Sequence, residues 1–167
     1  MNNDITPMNN LPSVGVNPQA SLLEIRMDSK TYPRLSAYTR EQAIMQMAKV
    51  VSQAFLYRGQ TADPQNIQFI STALIDELLE DRIFGVKHIS FAEISRVVKR
   101  AVLGGSEMFG ISVASLYKVI MEYVKGEGHR LSEEAHRLKR QQSLQESPIN
   151  PMVQAYTGAL LRNTKKK

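Results

Sequence analysis

The sequence predicts an all-α protein: a small bundle of four to five core helices with a disordered N-terminal tail and a basic C-terminal arm. Apolar residues recur at spacings of three and four in several segments, as on the buried face of an amphipathic helix. Capping residues and glycines delimit those segments, and no segment shows the alternation typical of a strand. With 167 residues, 43% of them hydrophobic, the chain has enough apolar material for one core.

The N-terminal region is predicted to be a tail followed by a short helix. Residues 1–17 are mostly Asn, Pro, Ser, Gly and small apolar residues without periodicity, which is typical of a disordered tail. A helical domain then extends over 18–128. Pro18 can open a short helix that continues to Met27, and Pro33 prevents the helix from continuing.

Two long helices follow in the first half of the chain. Thr39 and Gln42 have capping-box spacing at the start of the first, and Gly59 ends it. Asp63 and Pro64 mark the start of the second, as an N-cap acceptor followed by a proline. The first helix is predicted to bury Ile44, Met47, Ala48, Val51 and Phe55, and the second Ile67, Ile70, Leu74, Ile75, Leu78 and Leu79.

Two further helices complete the predicted core. Ser90 and Glu93 have capping-box spacing before a helix from Phe91 to Leu103, and Ser112 can cap a helix from Val113 to Val124. The first is predicted to bury Phe91, Ile94, Val97, Val98, Ala101 and Val102. The second is predicted to bury Val113, Leu116, Ile120 and Val124, with Tyr117 and Tyr123 at the margins.

The C-terminal region, 129–167, is predicted to be a basic helix and a flexible tail. Gly126 and Gly128 are expected to end the preceding helix, and the last helix to run from Ser132 to about Gln142. Its apolar content is small, so it is exposed, docked at one edge or available to a partner. A short segment earlier in the chain, 86–90, has the composition of an extended stretch without an obvious partner.

The positive charge is concentrated at the C-terminal end. Residues 1–124 contain 12 Lys+Arg and 12 Asp+Glu, whereas residues 125–167 contain 9 Lys+Arg and 4 Asp+Glu. A neutral body with a basic arm can bind a polyanion such as nucleic acid, although a lysine-rich end can also serve only to keep a chain soluble. The predicted phosphate contacts are Arg137, Lys139, Arg140, Lys165, Lys166 and Lys167, with Arg96, Lys99 and Arg100 as a second set.

Several classes of site and of location are excluded or not expected. The chain has no cysteine, which excludes disulfides, thiolate zinc sites and iron–sulfur clusters. Two of its three histidines, His129 and His136, are seven residues apart, too far along a helix to share a zinc ion, and the third, His88, is in a predicted loop. We therefore predict no catalytic, cofactor-binding or metal-ligating residue and no enzymatic activity. Without an apolar run of membrane-spanning length or a signal peptide, we expect a cytoplasmic protein without a membrane partner.

The helix pair around Gly104 and Gly110 has two interpretations. It could be a helix-turn-helix whose second helix enters the major groove of DNA, or a generic helical hairpin. The outward residues of that second helix would be Ala114, Ser115, Lys118, Met121, Glu122 and Lys125. This set lacks Arg, Asn and Gln, and the connection of about eight residues is long for the motif, so the sequence favours the hairpin.

The segment EISRVVKRAVLGGSEMFGISVASLYKVIMEY, residues 93–123, has a distinctive pattern of a Glu-Ile helix start, a small-residue turn and spaced tyrosines. The matching positions are Glu93, Ile94, Gly105, Phe109, Gly110, Ile111, Ser112, Tyr117 and Tyr123. Over residues 39–125 the chain resembles small replication-accessory, helicase-loader-like proteins of Bacteroidota phages and mobile elements. The resemblance implies a role in DNA replication and supplies no catalytic residue.

Two functions follow as hypotheses. The first is a non-enzymatic accessory protein of phage or mobile-element DNA metabolism, whose basic C-terminal arm binds DNA and whose helical body binds a protein partner, such as a replication or virion protein. The second is a protein-interaction module, such as a virion component, adaptor or inhibitor, with no nucleic-acid role. An exposed patch of Met45, Met108 and Met121 would favour the second, because methionine suits adaptable binding surfaces. The sequence does not determine the oligomeric state.

Overall fold

The described parts of the chain, residues 19–80, 85–104 and 110–146 of a computed structural model, consist of helices and their connections. The six α-helices in these parts are α1 (Leu22–Met27), α2 (Arg40–Tyr57), α3 (Pro64–Glu80), α4 (Phe91–Leu103), α5 (Val113–Lys125) and α6 (Glu127–Glu146). Two 3₁₀ turns, Leu35–Ala37 and Val86–His88, lie between them. The predicted all-α class is confirmed. The tail predicted over 1–17 lies outside the described residues.

The helix starts follow the capping signals in the sequence. The capping box of Thr39 and Gln42 is present at α2, and that of Ser90 and Glu93 is present at α4. In each, the hydroxyl oxygen accepts from a backbone N–H in the first turn, while the longer side chain accepts from the cap N–H. Gly59 follows α2 with a φ of 66°, the left-handed conformation that glycine adopts without strain.

Four helices enclose the core. Helix α2 packs against α3 and α4, and α5 packs against the same two helices from the other side, so the four form a closed bundle. The predicted apolar faces of these helices point inward. The side chains with no exposed surface include Met47, Val51, Leu74, Ile75, Leu78, Ile94, Leu116 and Ile120. Each buried side chain of this size contributes about 1.5–3 kcal/mol relative to its exposed state.

The N-terminal segment is attached to the start of α4. Helix α1 begins at Leu22, after the cap Ser21, rather than near residue 19 as predicted. The backbone N–H of Leu35 donates to the carbonyl of Ile89 at 2.7 Å, and Arg34 and Ser90 form an isolated antiparallel bridge. The prediction that 86–90 is extended without a partner was therefore wrong. Val86–His88 form a 3₁₀ turn, and the extended residues Ile89 and Ser90 pair with Leu35 and Arg34 at the start of the first turn.

The connection predicted between α5 and the last helix is absent. Only Gly126 separates α5 from α6, and α6 begins at Glu127 rather than at Ser132. Gly128 lies in the first turn of α6, where a Cβ atom would come within 3.0 Å of the Tyr123 carbonyl oxygen. Its absent side chain therefore permits close packing instead of ending a helix.

Met121 is 4% exposed, which contradicts two sequence-based expectations. It was an outward position of α5 in the helix-turn-helix interpretation, and it was one of the three residues whose joint exposure would have favoured a protein-interaction module. Helix α5 packs against both α3 and α4, so it buries a wider arc than its main apolar stripe. Met45 is 48% exposed, and Met108 lies outside the described residues.

The contacts divide the chain into two units within α6. The first extends to Ser132 and contains the bundle, and the second begins at Glu133. Among the helices described, none combines the length and the apolar character that a membrane span requires.

Candidate nucleic-acid interface

The second unit contains the first group of predicted phosphate contacts. Arg137, Lys139 and Arg140 are all exposed on α6. Every residue from Lys139 to Leu144 is exposed as well, so this part of the helix presents cationic side chains to the solvent. The remaining members of the group, Lys165, Lys166 and Lys167, lie outside the described residues.

The second part of α6 has one face that is rich in polar and cationic groups. At about 100° per residue, Arg137, Arg140, Gln141 and Leu144 fall within an arc of about 100°. The groove along this arc is lined by Glu133, His136, Arg137, Arg140, Gln141 and Leu144. Lys139 lies on another side of the helix. The structure therefore brings Arg137 and Arg140 together but leaves Lys139 apart from them.

The second group of predicted contacts is on α4, in the first unit, and all three of its members interact within the chain. Arg96 interacts electrostatically with the Glu24 carboxylate. The Lys99 ammonium lies 5.4 Å from the centroid of the Tyr57 ring. The Arg100 guanidinium forms a salt bridge with Glu127 at 2.5 Å, and this hydrogen bond raises the pKa of Arg100. These intramolecular contacts make the α4 cations weaker candidates than those of α6.

A buried carboxylate, Glu93, is the centre of a polar network that the sequence did not indicate. Its side chain has no exposed surface. One oxygen, Oε1, accepts from Arg26 Nε at 2.7 Å and from the Tyr123 hydroxyl at 2.8 Å. The other, Oε2, accepts from Arg34 Nη1 at 3.3 Å and from the backbone N–H of Ser90 at 2.9 Å. Both carboxylate oxygens therefore accept hydrogen bonds, as a buried charge requires.

This network connects the segments around the start of α4. Arg26 comes from α1, Arg34 precedes the first 3₁₀ turn, and Tyr123 comes from α5. Arg34 also donates to the backbone carbonyl of Arg26, which ties the Arg34 side chain to the end of α1. The first turn of α6 reaches the same place, because a Cβ at Gly128 would lie 3.3 Å from Arg26 Nη2. The first turn of α6 therefore packs closely against the network.

Burial perturbs two members of the network. It lowers the pKa of Arg34, and the nearby Glu93 carboxylate opposes that effect. Burial, together with Glu93, raises the pKa of Tyr123 well above its usual value of 10. The Tyr123 hydroxyl therefore remains protonated and continues to donate to the carboxylate.

We expect the stabilising effect of Tyr123 to depend on pH. Replacing Tyr123 with phenylalanine removes a hydrogen bond to a buried charge and should lower the free energy of unfolding by about 1.5–3 kcal/mol at pH 8. Above pH 10, a tyrosine in the unfolded chain ionises while the folded one does not. Proton release then favours the unfolded state. The contribution of Tyr123 to the free energy of unfolding is therefore complete below pH 10 and is lost as the pH rises further.

Urea unfolding of the two proteins between pH 8 and 11.5 measures this effect. The stability difference should narrow above pH 10, since phenylalanine has no proton to release. A difference that stays constant over this range would contradict the role of Tyr123.

The three histidines lie at two separate places in the described part of the chain. No cluster of ligands suited to a metal ion occurs among the described residues. His88 and His129 line a small cavity of about 40 Å³ together with Arg26, Gly85, Val124, Gly128 and Ser132. That volume accommodates a few water molecules and no substrate. His136 belongs instead to the groove on α6.

Comparison of the chain with protein-family models, with curated proteins and with solved structures gives no match. The resemblance to replication-accessory proteins therefore remains a prediction. Two of its matching positions, Glu93 and Tyr123, are bonded to each other in the buried network, and a third, Ser112, is the N-cap of α5. These positions thus have structural roles within the helical body.

Proposed function

We propose that this protein is a non-enzymatic accessory factor of DNA metabolism that binds DNA through α6 and the basic chain beyond it. The resemblance stated above makes replication in a phage or mobile element the preferred setting. The observation that carries the proposal is the exposure of Arg137, Lys139 and Arg140 on α6. From Glu133 onward the chain has seven Lys+Arg and three Asp+Glu, a net charge of +4.

The division of charge supports this role. Cations that neutralise phosphates release condensed counterions, so an exposed basic helix gains affinity for DNA without needing a particular pocket. In the first unit, by contrast, Arg26 and Arg34 are occupied by Glu93, and Arg40 and Arg100 form salt bridges with Asp76 and Glu127. The bundle then serves as a scaffold that can contact a protein partner.

A salt titration tests the proposal. Full-length protein and a chain that ends at Glu146 are compared for binding to a fluorescent 30-base-pair duplex over a range of salt concentrations. Removing Arg162 and Lys165–Lys167 should reduce the slope of log binding constant against log salt concentration by about 2–4 in magnitude. Binding should persist, because the α6 cations remain. Absence of salt-dependent binding by the full-length protein would refute the proposal.

The alternative function, a protein-interaction module without a nucleic-acid role, is favoured by one observation. Leu56 on α2 is 69% exposed and Phe69 on α3 is 67% exposed, so the bundle presents two large apolar side chains to the solvent. Such residues often contribute to protein interfaces. Failure to bind DNA in the titration would make this alternative the better account.

A further inference from the structure

The groove-lining face of α6 has the side chains needed to recognise bases as well as phosphates. We define the α6 reading face as Glu133, Arg137, Arg140, Gln141 and Leu144, which all lie within an arc of about 100° and line one groove. We propose that this face enters the major groove of duplex DNA and recognises a short base sequence there. The proposal rests on the proposed function and adds the type of nucleic acid and the mode of recognition.

Each type of side chain on the reading face has a base that it can recognise in the major groove. Arginine donates two hydrogen bonds to guanine O6 and N7, and glutamine pairs with adenine N6 and N7. A glutamate accepts from cytosine N4, and an apolar side chain contacts the thymine methyl group. Arg137 with Arg140, Gln141 and the 78%-exposed Leu144 supply three of these types on one side of one helix. The proposal does not depend on Glu133, which also interacts within the chain.

The shape and exposure of α6 agree with this mode of binding. The helix has 20 residues, about 30 Å, and a helix diameter of 10–12 Å fits a major groove about 12 Å wide. Residues 139–144 are exposed all round, so the helix can lie between two phosphate backbones. His136 also lines the groove, outside this arc.

Other nucleic acids fit this helix less well. Proteins that bind single strands stack the bases on aromatic side chains, and α6 contains no Phe, Tyr or Trp. Double-stranded RNA has a major groove too deep and narrow for side chains to read its bases. Helix α5, considered above as a recognition helix, lacks Arg, Asn and Gln at its outward positions.

The test is selection of bound duplexes from a random pool by the full-length protein, followed by affinity measurements at one salt concentration. The probes are the selected duplex, a scrambled duplex of equal composition and the corresponding single strand. We expect an enriched motif and tighter binding of the selected duplex. Gln141→Ala, which changes no charge, should weaken binding to the selected duplex about 5- to 100-fold and leave the scrambled duplex unaffected.

Lys139→Ala is the matched control, because Lys139 is on the same helix but outside the reading face. It should weaken binding to both duplexes equally. Because Gln141 and Lys139 are both exposed, neither change should alter the helical circular dichroism spectrum. If no motif is enriched, or if the single strand binds as well as the duplex, the reading face is refuted while the proposed function stands. If no probe binds at low salt, both are refuted.

Discussion

Replacing Glu93 with glutamine is expected to lower the free energy of unfolding by about 3–5 kcal/mol, because the change leaves buried cations without a counter-charge. The carboxylate is fully buried, and Arg26 beside it is 6% exposed. Glutamine has nearly the same size, so the loss reflects charge and hydrogen bonding rather than a cavity. Since single domains have a total stability of about 5–15 kcal/mol, the variant should be close to unfolding at 25 °C. Urea unfolding followed by circular dichroism measures the effect.

Asp76→Asn is the matched control for this prediction. It also removes a carboxylate that binds an arginine, with Arg40 Nε and Nη2 both 2.7 Å from the Asp76 oxygens. Both side chains of this pair are substantially exposed, so water replaces the lost contact and the urea midpoint should hardly move. Equal midpoints for the two variants would contradict the structural importance of the Glu93 network.

The helices were predictable because their signals are local. The spacing of Thr39 and Gln42, or of Ser90 and Glu93, places complementary hydrogen-bonding groups within one turn. The spacing of apolar residues then indicates which face is buried. Both signals act over a few residues, so the starts of α2 and α4 and the inward faces of α2, α3 and α4 agree with the prediction, whereas α5 also buries Met121.

The Glu93 network was not predictable, because its contacts join distant residues. Arg26 is 67 positions from Glu93, and Tyr123 is 30 positions away. The sequence explains Glu93 as one half of a capping box, so its spacing from Ser90 alone does not indicate a second role. One signal was available: Glu93 directly precedes Ile94 on the apolar side of α4, where a carboxylate requires a buried partner.

The junction of α5 and α6 was wrongly predicted for a related reason. Gly126 and Gly128 resemble helix-ending glycines, and only the tertiary structure shows that Gly128 is needed for close approach to Tyr123 and Arg26. Because of this error, the predicted last helix began five residues later than α6 does. The predicted helix, 132 to about 142, already contained Arg137, Lys139 and Arg140, and the structure extends it at both ends. Gln141 and Leu144 then lie on the same face as Arg137 and Arg140, whereas Lys139 does not.

The charges of α6 provide the second large expected effect. Replacing Arg137, Lys139 and Arg140 together with glutamine should lower the affinity for a 30-base-pair duplex roughly a hundredfold at 50 mM salt. It should also make the log–log salt dependence shallower by about 2–3, since up to three counterion-releasing contacts are lost. Fluorescence anisotropy at several salt concentrations measures both quantities. Glutamine suits an exposed helix, so the fold should not change.

The same three-charge change made in the bundle distinguishes a binding surface from a general effect of net charge. Lys30, Lys49 and Lys87 are exposed in the first unit, and replacing them with glutamine alters the net charge by the same amount. If α6 is the interface, this control should lose only a few-fold in affinity, because charges away from the contact are screened within about 10 Å at 0.1 M salt. Equal losses of affinity for the two triple variants would mean that binding depends only on the net charge of the protein. The proposal that α6 is the interface would then be refuted.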